Sequence, residues 1–150
     1  MKKVVYNRCY GGFGLSPVAI KRYLELARPE ITPTFYTEEW SGRFGVLYTK
    51  VKAEDIKKYD DFITLLKDYG DHPEETSYIG PCFYEIDDYF DYWSIKRSDP
   101  NLVKVVEELG EKANGRHASL AIKEVEGKYR VCEYDGSEWV ETPESIKWEE

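Results

Sequence analysis

Residues 6 to 20 read YNRCYGGFGLSPVAI, and no other stretch limits the fold as sharply. Gly11, Gly12 and Gly14 open backbone conformations that a side chain would close. Ser16-Pro17 directly afterwards is a helix start, with the serine as N-cap and the proline in the first turn. Ahead of the glycines, Lys3 to Asn7 is a short β-type run. The chain is therefore expected to pass from a strand through a tight loop into a helix. Ile20, Tyr23, Leu24 and Ala27 share that helix's apolar face, and Arg28-Pro29 ends it, because proline disfavours helical geometry in the residue before it.

The remaining periodicities extend the pattern. From Thr32 to Val51, β-branched and aromatic residues interrupted by Gly42 and Gly45 predict two short strands around a loop. In AEDIKKYDDFITLLKDYG, Ile56, Tyr59, Ile63 and Leu66 share a helical face that Phe62 widens and Gly70 closes, which predicts a second helix. Residues 71 to 95, broken by Pro73, Gly80 and Pro81, are compatible with an edge strand, a loop or a short helix. RSDPNLVKVVEELGEKANG predicts a third helix: Asp99 is the N-cap, Pro100 takes the first turn, and Val103, Val106 and Leu109 form the stripe. Asn114-Gly115 is expected as its left-handed end. HASLAIKEVEGKYRVCEYDGSEWVE then alternates with turns at Glu126-Gly127 and Asp135-Gly136, which reads as a three-stranded antiparallel meander. About three helices packed on a mainly antiparallel sheet give a single compact α+β domain over residues 1–150.

Composition narrows the function classes. The chain has no apolar run long enough to cross a membrane, and its basic start lacks the apolar core of a signal peptide, so a cytoplasmic protein without a membrane partner is expected. Cys9, Cys82 and Cys132 are widely spaced and have only His72 and His117 as imidazole companions, which argues for reduced thiols and against a metal site. A net charge of −8 opposes direct binding of nucleic acid, whose affinity comes largely from Lys and Arg neutralising phosphates. The thirteen tyrosines and four tryptophans suit interfaces and the stacking of planar ligands, and a homo-oligomer is compatible with them.

The glycine loop is the first candidate site. Arg8 brings a fixed charge, Gly11, Gly12 and Gly14 bring main-chain N–H groups, and Ser16 brings a hydroxyl. Tyr10 and Phe13 bring rings that can stack, and Asn7 closes the strand beside them. The parts suit a small anionic ligand of nucleotide type. A tight turn with Phe13 in the core fits the same letters, since GGFG is neither a phosphate-loop nor a dinucleotide fingerprint. The second candidate is CEYDGSEW. There Glu133, Asp135 and Glu138 flank Tyr134, so carboxylates can meet ligand hydroxyls or simply make a solvated hairpin turn. Glu107 or Glu108 is a candidate partner for Arg8. A third candidate, the acidic aromatic run containing Glu85, Asp87, Asp88 and Asp91, would suit a basic groove on another protein or be a solvated face. No catalytic residue, cofactor or metal ligand is assigned.

NRCYGGFGLS and RSDPNLVKVVEELGEKANG, with the later EYDG, resemble recurrent blocks of a family of small phage and prophage accessory proteins of unknown function. The resemblance implies a viral setting inside an infected bacterium. There such proteins act against host defence, by sequestering a cyclic-nucleotide or ADP-ribose-type immune signal or by blocking a defence protein. The expected function is therefore non-catalytic capture of such a signal. An acidic protein–protein inhibitor and a signal-cleaving enzyme are the alternatives.

Overall fold

Strand β1 (Lys2–Asn7) organises the first part of the structure, a computed structural model that describes residues 1–40, 46–58, 63–71 and 89–145. Main-chain packing divides the chain into two compact units, one of Met1–Ala19 with Tyr92–Glu150 and one of Ile20–Asp91. The α+β class matches the expectation from sequence.

In the first unit β1 pairs antiparallel with β5 (Leu120–Val125), from Lys2 opposite Val125 to Asn7 opposite Leu120. Alternation sends Val4 and Tyr6 to one face. There they meet Val125 and Val140, with Tyr129 and Val131 packed alongside. Val131 and Val140 belong to the hairpin formed by β6 (Arg130–Tyr134) and β7 (Ser137–Glu141). Lys3 and Val5 point the other way, toward α2 (Pro100–Leu109), whose Glu107 receives the Lys3 ammonium at 2.8 Å.

Helix α2 begins as its sequence predicts, with Asp99 Oδ1 accepting the Asn101 N–H at 2.8 Å and Pro100 in the first turn. Leu102, Val103, Val105 and Val106 are buried, each contributing about 1.5–3 kcal/mol relative to exposure. The helix stops earlier than expected, because Gly110 adopts φ +57° and a 3-10 turn over Gly110–Ala113 follows. Asn114 keeps negative φ and instead uses its side-chain oxygen to accept the Leu120 N–H at 2.9 Å.

The C-terminal meander is also rearranged. Only its second turn makes a hairpin, at Asp135-Gly136, where φ values of +50° and +90° are those of a type I′ turn. The turn at Gly127 instead releases β5 to β1, 113 or more residues away in sequence along the ladder. Alternation marks which face of a strand is apolar and is silent about its neighbour.

In the second unit β2 (Thr34–Trp40) lies between β3 (Val46–Lys50) and β4 (Ile63–Leu65), antiparallel to both. Tyr36, Tyr48, Ile63 and Leu65 form one buried cluster within it. The Tyr36 hydroxyl donates to Gly70 O at 2.9 Å and accepts the Tyr69 N–H at 3.0 Å. Helix α1 (Pro17–Ala27) spans the division between the units and starts at the expected cap, with Ser16 Oγ accepting the Ala19 N–H at 3.2 Å. The Tyr23 ring stacks on Phe90 within the second unit.

The second helix expected from periodicity does not form. A 3-10 segment, Ala53–Lys58, leads toward β4, and Ile63, Thr64 and Leu65 are all buried. Three consecutive buried residues, two of them β-branched, suit a strand covered on both faces, whereas a helix would bury one stripe. Tyr59 and Phe62 lie outside the described residues, as do Gly42, Gly45, Pro73, Gly80 and Pro81.

Candidate functional site

The glycine loop and the EYDG hairpin meet within the first unit through Asn7 and Gly136, 129 positions apart in sequence. Asn7 is fully buried at the end of β1. Its Nδ2 donates to Cys9 O at 2.7 Å and to Gly136 O at 2.8 Å, while Oδ1 accepts the Ser119 N–H at 2.7 Å. The Cys9 thiol donates to His117 O at 2.8 Å, with Asn7 Oδ1 at 3.3 Å as a second acceptor. One side-chain amide thus ties together three segments that sequence alone leaves apart.

Gly11 and Gly136 are dictated by close approach. A Cβ at Gly11 would fall 1.8 Å from His117 O, and one at Gly136 would fall 2.3 Å from Tyr10 O and 2.8 Å from Gly12 N. The hairpin turn therefore rests directly on the backbone of Tyr10–Gly12. Gly14 accepts the Gly115 N–H at 2.9 Å and is buried, so it belongs to the packing of the loop. Ser16 donates its hydroxyl to Lys112 O at 2.6 Å besides capping α1. The Ser16 hydroxyl is consequently engaged within the fold on both its donor and its acceptor side.

Phe13, expected to be free to stack or else to be core, is core at 3% exposure. The Arg97 guanidinium carbon lies 3.5 Å from its ring centroid, and Tyr92 and Trp93 approach at 6.0 and 5.5 Å. Arg97 in turn grips Glu138 with two hydrogen bonds of 2.7 and 2.9 Å. Glu138 Oε1 also accepts the Asn7 N–H at 2.8 Å, while the Val5 N–H donates to Arg97 O at 2.9 Å. The pair thereby supplies hydrogen-bond partners to the edge of β1 that faces away from β5, where an open edge would expose unpaired main chain. Arg97 carries no sequence signal, since its partners lie 41 and 84 positions away. Glu138 is accordingly a structural anchor.

What remains exposed is more selective. Arg8 donates its main-chain N–H to Ser119 O at 2.8 Å and accepts the Ser137 hydroxyl at 3.3 Å, which fixes its backbone. Its side chain is exposed, and among the described residues the guanidinium has no hydrogen-bond or ion-pair partner. Glu107, a candidate partner by sequence, is engaged by Lys3. Tyr10 and Tyr134, on either side of the Asp135-Gly136 turn, are each 72% exposed. Among the described residues the main-chain N–H groups of Tyr10 and Gly11 make no hydrogen bond. Glu133 Oε1 accepts the Gly136 N–H at 2.9 Å and so closes the turn, leaving Asp135 as its outer carboxylate.

The hairpin's outward face continues this surface. Tyr134 is opposite Ser137, Cys132 opposite Trp139 and Arg130 opposite Glu141, so all six share one face. Trp139 is 43% exposed and donates its indole N–H to Glu141 Oε1 at 2.8 Å. Arg130 grips the other oxygen at 2.8 and 2.6 Å. The Trp139 hydrogen bond, followed by that of Arg130, holds the Glu141 carboxyl below its ordinary pKa of 4.5. Burial, then the Glu141 charge, pushes the Cys132 thiol above its ordinary 9.0, which keeps it protonated and weakly nucleophilic at neutral pH.

The corner thus carries the exposed Arg8, the Tyr10 and Gly11 N–H groups, two exposed tyrosine rings and the Asp135 carboxylate, groups whose chemistry suits an anion, a planar ring and hydroxyls. Among the described residues no group of three His, Cys, Asp or Glu side chains is arranged to hold a metal, and no helix is long and apolar enough to cross a membrane. Cys82, Glu85, Asp87 and Asp88 lie outside the described residues, so the acidic ridge has no structural account. Compared with protein-family models, curated proteins and solved structures, the chain finds no match.

Proposed function

We propose that the protein is a binding protein that captures a small anionic, ring-bearing ligand of nucleotide type at the corner formed by Arg8, Tyr10, Tyr134 and Asp135, without turning it over. One observation carries the reading: a guanidinium that has no partner among the described residues belongs to the same corner as two tyrosines that are each 72% exposed. The backbone beneath is fixed by Asn7, Gly136 and the Ser137–Arg8 bond, so little ordering remains to oppose binding. Arg8 and the Tyr10 and Gly11 N–H groups take the anion, Tyr10 and Tyr134 take the ring, and Asp135 accepts from ribose hydroxyls. Asn7, Gly12, Phe13, Gly14, Ser16 and Glu133 build the support. In the phage setting implied by the sequence resemblance, the ligand is a nucleotide-derived immune signal and the protein is its sponge.

Calorimetry against cyclic mononucleotides, dinucleotides and ADP-ribose derivatives tests this. Saturable binding is expected, weakened at least about tenfold by Arg8→Ala, as befits a lost charge-assisted contact. Ligand released by heat should be chemically unchanged; cleaved ligand would mean an enzyme. A panel with no binder, together with recovery of a host protein from infected cells, would replace the reading with the inhibitor alternative.

A further inference from the structure

Resting on that reading, we propose that the ligand has two planar rings joined through a single phosphodiester charge, and that the second ring lies on Trp139.

The charge count argues for one negative charge. Glu138 is neutralised by Arg97 and Glu141 by Arg130, which leaves Arg8 as the unpaired cation of the corner among the described residues. Beside it stand two carboxylates, Asp135 in the turn and Glu133, which accepts the Gly136 N–H. A doubly charged terminal phosphate would bring a second charge that two carboxylates repel while one guanidinium attracts. Two repulsions set against one attraction in solvent leave that charge without net gain, and it costs hydration. A phosphodiester has two non-bridging oxygens, which the planar guanidinium fork matches.

The ring count comes from the hairpin face. Among the described residues the exposed large apolar side chains are Met1, Tyr10, Trp93, Tyr134 and Trp139, and three of these five lie on this corner and its continuation. The register makes Tyr134 and Trp139 diagonal neighbours on one face, separated by two residues along the strand, or roughly 7 Å. That spacing is about twice the 3.4 Å rise of stacked bases, so it fits two rings on an extended linker better than one ring covering both side chains. The Trp139 N–H is already given to Glu141, so its aromatic face is what it has left to offer.

The test uses the full chain and calorimetry with three probes in both adenine and guanine series: the linear 3′,5′-linked dinucleoside monophosphate, the 3′,5′-cyclic mononucleotide and the 5′-monophosphate. The dinucleoside monophosphate should bind about fivefold or more tighter than the cyclic mononucleotide, the least that one stacked base contributes. The 5′-monophosphate should bind no tighter than the cyclic form. Trp139→Ala should bring the dinucleoside monophosphate to the affinity of the cyclic mononucleotide, and Trp139→Phe should retain most of the advantage. A structural role for Trp139 would instead weaken both probes together and lower the melting temperature, and would overturn the assignment. Equal affinities of the two phosphodiesters in the natural protein would remove the second ring. A tighter 5′-monophosphate would refute the charge argument. In these last two cases, binding lost with Arg8→Ala leaves the underlying function standing. Absence of binding by every probe in both series would overturn the inference, while Arg8-dependent binding of ADP-ribose derivatives would still preserve the function.

Discussion

Replacing Glu138 by alanine tests the pair that supports the candidate site. The carboxylate accepts three hydrogen bonds, from Asn7 N at 2.8 Å and from Arg97 at 2.7 and 2.9 Å. The Arg97 and Glu138 side chains are only 13% and 5% exposed, so the substitution strands a guanidinium and a main-chain N–H away from water. Removing one partner of such a pair costs about 3–5 kcal/mol. For a chain of this size that corresponds to a melting temperature lower by about 6–20 °C. Arg97→Ala should cost a comparable amount and also loses the contact with Phe13 at 3.5 Å. The double alanine variant should be less destabilised than the sum of the singles by about 1–3 kcal/mol. Arg97→Met with Glu138→Leu should recover part of the loss but retain about 1–3 kcal/mol, because the Asn7 N–H still lacks its acceptor. Urea unfolding and thermal melts at neutral pH read all four variants. A loss below about 1 kcal/mol for Glu138→Ala, or strict additivity in the double variant, would show that the pair does not clamp the edge of β1.

Other substitutions probe separate links. Gly136→Ala should destabilise by about 2 kcal/mol more than Gly127→Ala: both have positive φ, but only the former puts a methyl against the Tyr10 backbone. Equal losses in urea would mean that the loop yields freely. Asn7→Leu removes the donors to Cys9 and Gly136 together with the acceptor of the Ser119 N–H at a fully buried position, so a loss of about 3 kcal/mol or more is expected, with increased hydrogen exchange at Ser119. Wild-type exchange at Ser119 in that variant would remove Asn7 from its proposed role. The Glu141 carboxyl, held below 4.5, contributes stability above that value and loses it as pH falls through its lower folded value. Trp139→Phe should therefore raise the Glu141 pKa toward 4.5 in a carboxyl-resolved NMR titration, and an unchanged titration would contradict the cause assigned to it.

The local grammar of the chain is legible wherever a few adjacent letters carry the physics. Ser16-Pro17 and Asp99-Pro100 start helices because the cap and the first turn are made within three residues. Asp135-Gly136 turns a hairpin because positive φ at both positions matches strand twist. Where the sequence reading departs from the structure, a distant partner decides. The apolar residues of FITLL satisfy a helical period, yet β2 is available to pair, and Ile63–Leu65 extend along it. Leu109 fits the stripe of α2, but Gly110 turns the chain before the expected Asn114-Gly115 end.

The candidate site divides in the same way. Its residue types, an arginine, tyrosines, glycines and a carboxylate turn, were all present to be read, because reactivity and ring chemistry belong to single side chains. Adjacent residues alone settle the α+β class, the helix caps, the hairpin turn and the acidic net charge. Tertiary structure decided that β5 joins β1, that Gly136 rests on Tyr10, that Phe13 is taken by Arg97 and that Arg8 has no partner among the described residues. Caps and turns are set by interactions across a few residues, whereas burial and ion pairing depend on which distant segments exclude water together, a choice made by the whole chain at once.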